Sequence, residues 1–246
     1  MRFSVVIPTL NEAVELPETL RRAWAVPEVA EIIVSDGGST DETMSLAETG
    51  GARIIRGGPG RGAQLRRGAE LATGDMVILL HADTWLPPIA GKAVTKALGD
   101  AANEVNPLTV GGGFRKTFRD APWPLQFAAS ARSWAYFRLT GYLFGDQAIF
   151  IRRTQLAVIG GVPALPLMEE FALCCALKKR GRLVLAQATV STSARRFREK
   201  GIFRTWWLMV QLQIAWARGT PPDELRRRYY PMPQRDSKKC LPPDCL

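Results

Sequence analysis

Four short stretches of the 246-residue chain carry groups able to hold a charged ligand, and each follows an apolar or β-branched run. Pro8-Thr9-Leu10-Asn11-Glu12 follows residues 3–7, and Ser35-Asp36-Gly37-Gly38-Ser39-Thr40-Asp41 follows residues 31–34. The glycine-rich stretch 57–62, with Arg61, Ala63 and Gln64, follows residues 52–56, and His81-Ala82-Asp83-Thr84 follows residues 76–80. Asp36 could accept hydrogen bonds from a base N–H or a ribose hydroxyl. Arg61, beside glycines at a helix start, combines a guanidinium with free backbone N–H groups, which suits a diphosphate. Asp83 is a hard oxygen ligand and could hold Mg²⁺ or Mn²⁺ against that diphosphate. Taken singly, Asn11 and Ser39 read as helix caps and Asp83 as a cap before the next helix. Four such stretches on one rim favour a site.

The elements that must position them alternate. Strands are expected at 3–7, 31–34, 52–56 and 76–80. A helix with Pro17 in its first turn is expected to about residue 25, one opened by a Ser39–Glu42 capping box to about 49, and one from the glycine loop to Gly74. The run 76–80 is apolar throughout, as in a strand covered on both faces. Alternation at this pitch predicts an α/β fold with a doubly wound, mainly parallel sheet, whose ligands bind beyond the carboxyl ends of the strands. In the second half, Gly111-Gly112-Gly113 precedes a strand that must pass close to something. A helix rich in aromatics is expected within 123–144, a strand at 148–151, and a helix at 168–179 ended by Gly181. A very apolar helix follows at 202–217.

The length fits one large domain or one domain plus an appendage, with no need of disulfides. The formal charge of +10 and pI near 9.9 point to an anionic partner. Cys174 and Cys175 read as small buried hydrophobes, while Cys240 and Cys245 lie in a polar tail. No cysteine spacing reads as a zinc site, so a reduced, cytoplasmic protein is expected. Residues 1–8 break at Pro8, too soon for a signal core, and no run of eighteen apolar residues predicts a spanning helix.

The stretches IPTLNE, VSDGGSTD, the Arg61 loop and LLHADT resemble family 2 glycosyltransferases of the GT-A fold in order and spacing, and GDQAIFIRR and LMEEF continue the resemblance to about residue 180. Within that family, HADT with GDQAIF is similar to a bacterial branch described as radical-SAM/selenodomain-associated transferases, linked to arsenosugar synthesis. The resemblance implies a Rossmann-like, mainly parallel central sheet flanked by helices, with C-terminal helices. It implies inverting transfer of a sugar from a UDP- or GDP-linked donor to an acceptor hydroxyl, assisted by Mg²⁺ or Mn²⁺. The family's Asp-x-Asp signature reads His81-Ala82-Asp83 here. Asp83 keeps the metal-holding acid, while His81 could bond the ribose, ligate the metal or fill space. Of the family's paired acids after the second strand only Asp36 remains. Glu169-Glu170 falls where the family places its acid pair, and the second acid is usually the base. Glu170 is therefore the expected catalytic base and Glu169 its substitute, against the plain reading of acids favoured at a helix N-terminus. Asp146 and Gln147 are expected to touch donor or acceptor. Arg195 and Arg196 stand where relatives carry Gln-x-x-Arg-Trp, and could close over the diphosphate. With these, the donor-binding set is Pro8, Thr9, Asn11, Glu12, Asp36, Arg61, Gln64, His81, Ala82, Asp83, Asp146, Gln147, Arg195 and Arg196.

A catalytic domain is thus expected over 1–200, with a nucleotide-binding half at 1–100 and an acceptor half at 101–200. A helical segment at 201–230 and a polar tail at 231–246 follow. Basic residues flank the 202–217 helix. That helix could cover the domain or lie on the inner face of a membrane near a lipid-linked acceptor. Three rival readings stand beside this one. Gly58–Ala63 fits G-x-G-x-x-A with Asp83 about 20 residues on, as in an NAD(P)-dependent oxidoreductase, but this leaves Asn11, Asp36 and Glu169-Glu170 without roles. A nucleotidyltransferase would need its glycine loop after the first strand. A non-enzymatic RNA- or membrane-binding protein would explain the charge, yet no RNA-recognition motif is present, and nucleic acid is not an expected partner.

Overall fold

The computed structural model describes residues 1–99 and 109–230. The boundary expected near residue 100 and the tail 231–246, with Cys240 and Cys245, lie outside the described residues.

Eight strands form one sheet in the order β3-β2-β1-β4-β7-β6-β8-β5. The first four are β1 (Phe3–Thr9), β2 (Val29–Asp36), β3 (Arg53–Arg56) and β4 (Met76–Leu79), joined by α1 (Leu16–Trp24), α2 (Thr43–Thr49) and α3 (Arg61–Glu70). These four strands are parallel. Because β2 and β4 lie on opposite sides of β1, the chain reverses its winding there, and a crevice opens beyond the carboxyl ends of β1 and β4. Burial follows the strand's twofold alternation. Val5, Ile7, Ile32 and Ile78 pack with Leu16 and Leu20 of α1 on one face. Val6, Ile33, Val77 and Leu79 pack with Leu65 and Ala69 of α3 on the other. Two covered faces explain the uninterrupted apolar runs.

The rest of the sheet is mixed, which narrows the mainly parallel expectation to β1–β4. β5 (Thr84–Trp85), β6 (Thr109–Phe118), β7 (Ile149–Arg152) and β8 (Arg182–Thr192) complete it, with α4 (Ala90–Leu98), α5 (Trp123–Thr140), a 3₁₀ turn at Gly145–Gln147, α6 (Arg153–Val158) and α7 (Glu169–Lys178). β7 runs antiparallel to β4 and β6, β6 runs parallel to β8, and β5 runs antiparallel to β8. The close approach expected at the glycine triplet is to neighbouring strands. A Cβ on Gly111 would sit 2.5 Å from the Phe150 carbonyl oxygen, and one on Gly112 would collide with that of Val184. Gly112→Ala is therefore expected to destabilise the protein by about 1–3 kcal/mol through strain in the centre of the sheet, read as a lower urea midpoint with an unchanged slope.

The last elements are α8 (Arg195–Lys200), α9 (Ile202–Ala217) and α10 (Pro222–Tyr229). Leu212 and Ala215 of α9 and Leu225 of α10 pack on Met168 and Phe171 beside α7. The covering role expected of the 202–217 helix holds for this face, while Trp207 stays half exposed. No helix among the described residues is long and apolar enough to cross a membrane. Two boundaries differ from the sequence reading. The glycine-loop helix stops at Glu70, and Gly74 instead packs under the first strand, its N–H donating to Ser4 Oγ at 2.8 Å. The second helix starts at Thr43 without a Ser39 cap. The Ser39 hydroxyl is drawn to the carboxylate of Asp36, and Asp41 accepts from the Thr43 N–H at 3.0 Å.

Candidate active site

The loops after β1, β2, β3 and β4 meet at one rim, and two kinds of residue occupy it. The first kind ties the loops together. Asp36 accepts from Thr9 Oγ1, from Ser39 Oγ and from the N–H groups of Gly38 and Ser39. Burial alone would raise its pKa, but these donors outweigh it and hold the carboxyl below the usual aspartate value. Asn11 sits at φ +56°, and its Oδ1 accepts from the Thr40 N–H at 2.9 Å. Buried Gln64 donates to the carbonyls of Thr9 and Ser35 and accepts from the Gly60 N–H, locking β1, β2 and the glycine loop. Gln147 likewise accepts from Phe144 N–H and donates to Phe114 O. Both glutamine amides, expected from the sequence at the site, are engaged in hydrogen bonds within the fold. Ala82 is buried, and its carbonyl accepts from Thr19 Oγ1 at 2.6 Å.

The second kind carries uncommitted or exchangeable charge. Arg61 is the first residue of α3, after Gly60 at φ +139°. Its Nη2 bonds Glu170 Oε2 at 2.9 Å, its Nε bonds Glu169, and its Nη1 lies 3.5 Å from His81 Nε2. Leu65, Leu79, Ile149 and Leu173 line a small apolar cavity against these two glutamates and His81. Removal from water pushes the Glu170 carboxyl above the usual glutamate value despite the attraction of Arg61. Burial and then Arg61 push His81 down, which keeps the imidazole neutral near pH 7. Only a glycine fits at 145, because a Cβ there would sit 2.8 Å from His81 Nε2.

Asp83 lies near enough to His81 for its charge to act on the imidazole. It does not cap α4, because β5 follows it at once and the N-cap there is Ile89. Its carboxylate receives one long bond, from Thr84 Oγ1 at 3.3 Å, and no ion pair among the described residues. Its charge is felt by His81, Glu12 and Arg195. Glu12 is raised by burial, against the pull of Arg195, whose Nη2 reaches its carboxylate at 3.3 Å. Arg196 follows Arg195 in α8. Pro8 is a partly buried residue near the end of β1. No group of three metal-binding side chains exists among the described residues. A magnesium-type ion nevertheless fits, because such ions are held by one or two carboxylates with the substrate's phosphates completing the shell. Asp83 offers a carboxylate with no ion pair among the described residues, although Arg195 is near enough to feel its charge.

Two basic residues that the sequence reading leaves out stand at the end of β6, Lys116 within the strand and Arg119 just beyond it. Lys116 is 3% exposed and bonds both oxygens of Asp146, at 2.7 and 2.5 Å. Arg119 donates to the backbone carbonyl of Asp83 at 2.7 Å, pairs with Glu15, and stacks 3.9 Å from the Trp85 ring. It holds the turn that carries Asp83. A signal existed: Lys116 shares its strand face with Phe114 and Phe118, so the twofold period places a lysine inward. Lys116→Met would leave Asp146, a quarter exposed, without its cation. The expected loss is near the lower end of about 3–5 kcal/mol, measured by urea unfolding.

The family model described as glycosyl transferase family 2 matches residues 4–152. An undecaprenyl-phosphate 4-deoxy-4-formamido-L-arabinose transferase from Pseudomonas paraeruginosa (strain DSM 24068 / PA7) is 30% identical over 168 residues, which are 63% of this chain and 48% of that protein. The chain spans about half the length of the curated relatives it matches. Among solved structures, a mannosyltransferase from Pyrobaculum calidifontis in complex with GDP-Man and Mn²⁺ superposes with a TM-score of 0.61 at 19% identity, over 93% of this chain and 68% of that one. Glucosyl-3-phosphoglycerate synthase from Mycobacterium tuberculosis, in complex with Mn²⁺, UDP and glucosyl-3-phosphoglycerate, gives 0.60 at 22% identity, over 89% and 81%. At these identities the structural likeness speaks for the fold.

Proposed function

The chain belongs to glycosyl transferase family 2 and has its GT-A fold, and on that premise we propose that it moves a sugar from a UDP- or GDP-linked donor to an acceptor hydroxyl with inversion. The observation that carries this reading is the convergence of Arg61, His81 and Glu170 at one rim with the Asp83 carboxylate, which has no ion pair among the described residues and whose charge reaches His81. In a direct displacement the acceptor oxygen forms a bond to the anomeric carbon as the bond to the diphosphate oxygen breaks. The acceptor proton goes to Glu170 and the nucleoside diphosphate leaves. Asp83, with His81 beside it, would hold Mg²⁺ or Mn²⁺, which when bound supplies positive charge for the leaving diphosphate. Arg61 offers a second positive charge. A diphosphate competing for its guanidinium would free Glu170 to act as base. Arg195, paired with Glu12 at the rim, is placed to follow the donor in.

A second acceptor chemistry is favoured by the curated relatives, which are undecaprenyl-phosphate sugar transferases. An acceptor phosphate is already ionised near pH 7 and needs no base, and it would be lipid-linked.

Calorimetric titration with UDP and GDP, with and without Mn²⁺, tests the donor reading. Tight, metal-dependent binding of one nucleotide is the expected result. No binding of either, together with binding of NAD, would transfer the glycine loop to the oxidoreductase alternative. The pH profile is a further test. A base with a raised pKa makes kcat/KM fall as the pH drops through a value above the ordinary glutamate figure of about 4.3. Arg61→Met removes the cation that holds Glu170 down, so the acid limb of its residual activity should move to higher pH. A limb that stays in place would separate Glu170 from the proton transfer.

A further inference from the structure

Helix α5 is apolar on two sides but covered on one. Ala129 and Ser133 face the sheet, and Ser130 Oγ donates to the Lys116 carbonyl at 2.6 Å. A helix that is hydrophobic all round is normally enclosed. Here Trp123 is 78% exposed, Phe127 72%, Trp134 49% and Leu139 86%. Positions 123, 127, 134 and 138 fall on one stripe at helical spacing, and its three aromatic members span about 16 Å at 1.5 Å per residue. Its fourth member is the exposed Arg138. Isolated surface tryptophans are ordinary, whereas an aromatic stripe of this length marks an interaction face.

The charge around it selects the occupant. α5 contains Arg132 and Arg138 and no acidic residue. Phe197 of α8 packs beside it with Phe118, Ala129 and Ala194, and α8 carries Arg198, 61% exposed and 4.0 Å from Asp120. A second copy of the chain would bring another +10 protein onto the same basic surface. An anionic lipid surface instead matches the arginines and receives tryptophan and phenylalanine rings at headgroup depth. From this we infer that α5 lies in the plane of an anionic membrane and docks the enzyme there by Trp123, Phe127 and Trp134. The helix ends at Gly141, and the chain then runs through Phe144 to Asp146. Arg132 lies over the Phe144 ring, and Lys116, which accepts from Ser130 through its carbonyl, holds Asp146. The docked helix is therefore linked through Lys116 to Asp146 of the candidate site. Delivery of a lipid-linked acceptor by that membrane rests on the reading above, while docking does not.

The test is co-sedimentation of the full chain with vesicles of phosphatidylcholine mixed with phosphatidylglycerol, against phosphatidylcholine alone, without nucleotide or metal. The wild type should pellet with the anionic vesicles. The combined Trp123→Ser, Phe127→Ser and Trp134→Ser variant should partition at least about tenfold more weakly. Arg138→Glu, a single exposed change, should weaken binding with steeper loss at low salt, and Val158→Ser on α6 should not. A wild type that stays in the supernatant overturns the inference, as does a triple variant that pellets like the wild type. Concentration-dependent self-association by light scattering, abolished by the triple variant while neither protein pellets, would give the face to a second copy. Because no nucleotide is present, failure here leaves the donor reading untouched, and failure of nucleotide binding leaves this one untouched.

Discussion

Glu170→Gln is expected to lower kcat for transfer to a hydroxyl acceptor by about 10²–10⁴-fold, the usual contribution of a positioned general base. Nucleotide affinity should stay within about twofold, since only the proton-accepting step is lost. Glutamine keeps the shape and can still accept from Arg61 Nη2, now 2.9 Å from the carboxylate, but it cannot take a proton. The companion variant Glu169→Gln should cost much less kcat. Glu169 is more deeply buried and is bound through Arg61 Nε, and one of its oxygens has no hydrogen-bond partner. Glu169 therefore positions Arg61, and its loss should appear first as lower stability. The reverse pattern would exchange the two roles. A third pattern is equally informative. If Glu170→Gln costs less than about tenfold with a polyprenyl phosphate while the wild type barely uses a hydroxyl acceptor, the acceptor oxygen arrives already ionised, and a phosphate acceptor is indicated. Single-turnover rates of both variants with a hydroxyl acceptor and with a polyprenyl phosphate separate the three cases.

Much of this arrangement was legible because local chemistry and global topology agree there. The apolar runs at the first, second and fourth strands are covered on both faces, so composition reported their burial directly. The strand-end loops were legible because polar turn residues follow each run and parallel winding sends all of them to one rim. What stayed hidden depends on distant partners. Ser39 has the form of a cap, yet the carboxylate of Asp36, three residues back, is the stronger acceptor and takes its hydroxyl. Gln64 and Gln147 look free as polar residues near a site, but their carbonyl partners lie up to 55 and 33 residues away. The antiparallel insertion of β7 between β4 and β6 leaves no trace in a four-residue apolar strand, which pairs equally well either way. Lys116 is different. Its period-two neighbours Phe114 and Phe118 already placed it inward, and an inward lysine demands a buried acid, which Asp146 supplies.

Asp83→Ala is expected to abolish the metal dependence of nucleotide binding and to lower kcat/KM by about 10²–10³-fold, corresponding to several kcal/mol of charge stabilisation. The argument rests on how little the carboxylate does for the fold. Its one bond, from Thr84 Oγ1, is 3.3 Å long, and the turn itself is held through the Asp83 backbone carbonyl by Arg119 and by the Ser193 N–H. Removing the side chain leaves those backbone contacts intact, so stability should change by no more than about 0.5 kcal/mol. The carboxylate contributes little to folding, and its field reaches His81, Glu12 and Arg195, so a cation bound there would meet a negative charge that the fold does not otherwise use. Without Mn²⁺, wild type and variant should therefore bind UDP or GDP alike and weakly. With Mn²⁺, the wild type alone should tighten. If both tighten equally, the metal is held elsewhere, and Glu12 becomes the next carboxylate to remove, because its charge couples to that of Asp83 at the same rim. If neither tightens, the leaving diphosphate depends on Arg61 and Arg195 alone, and the two arginines should then show the larger losses on substitution.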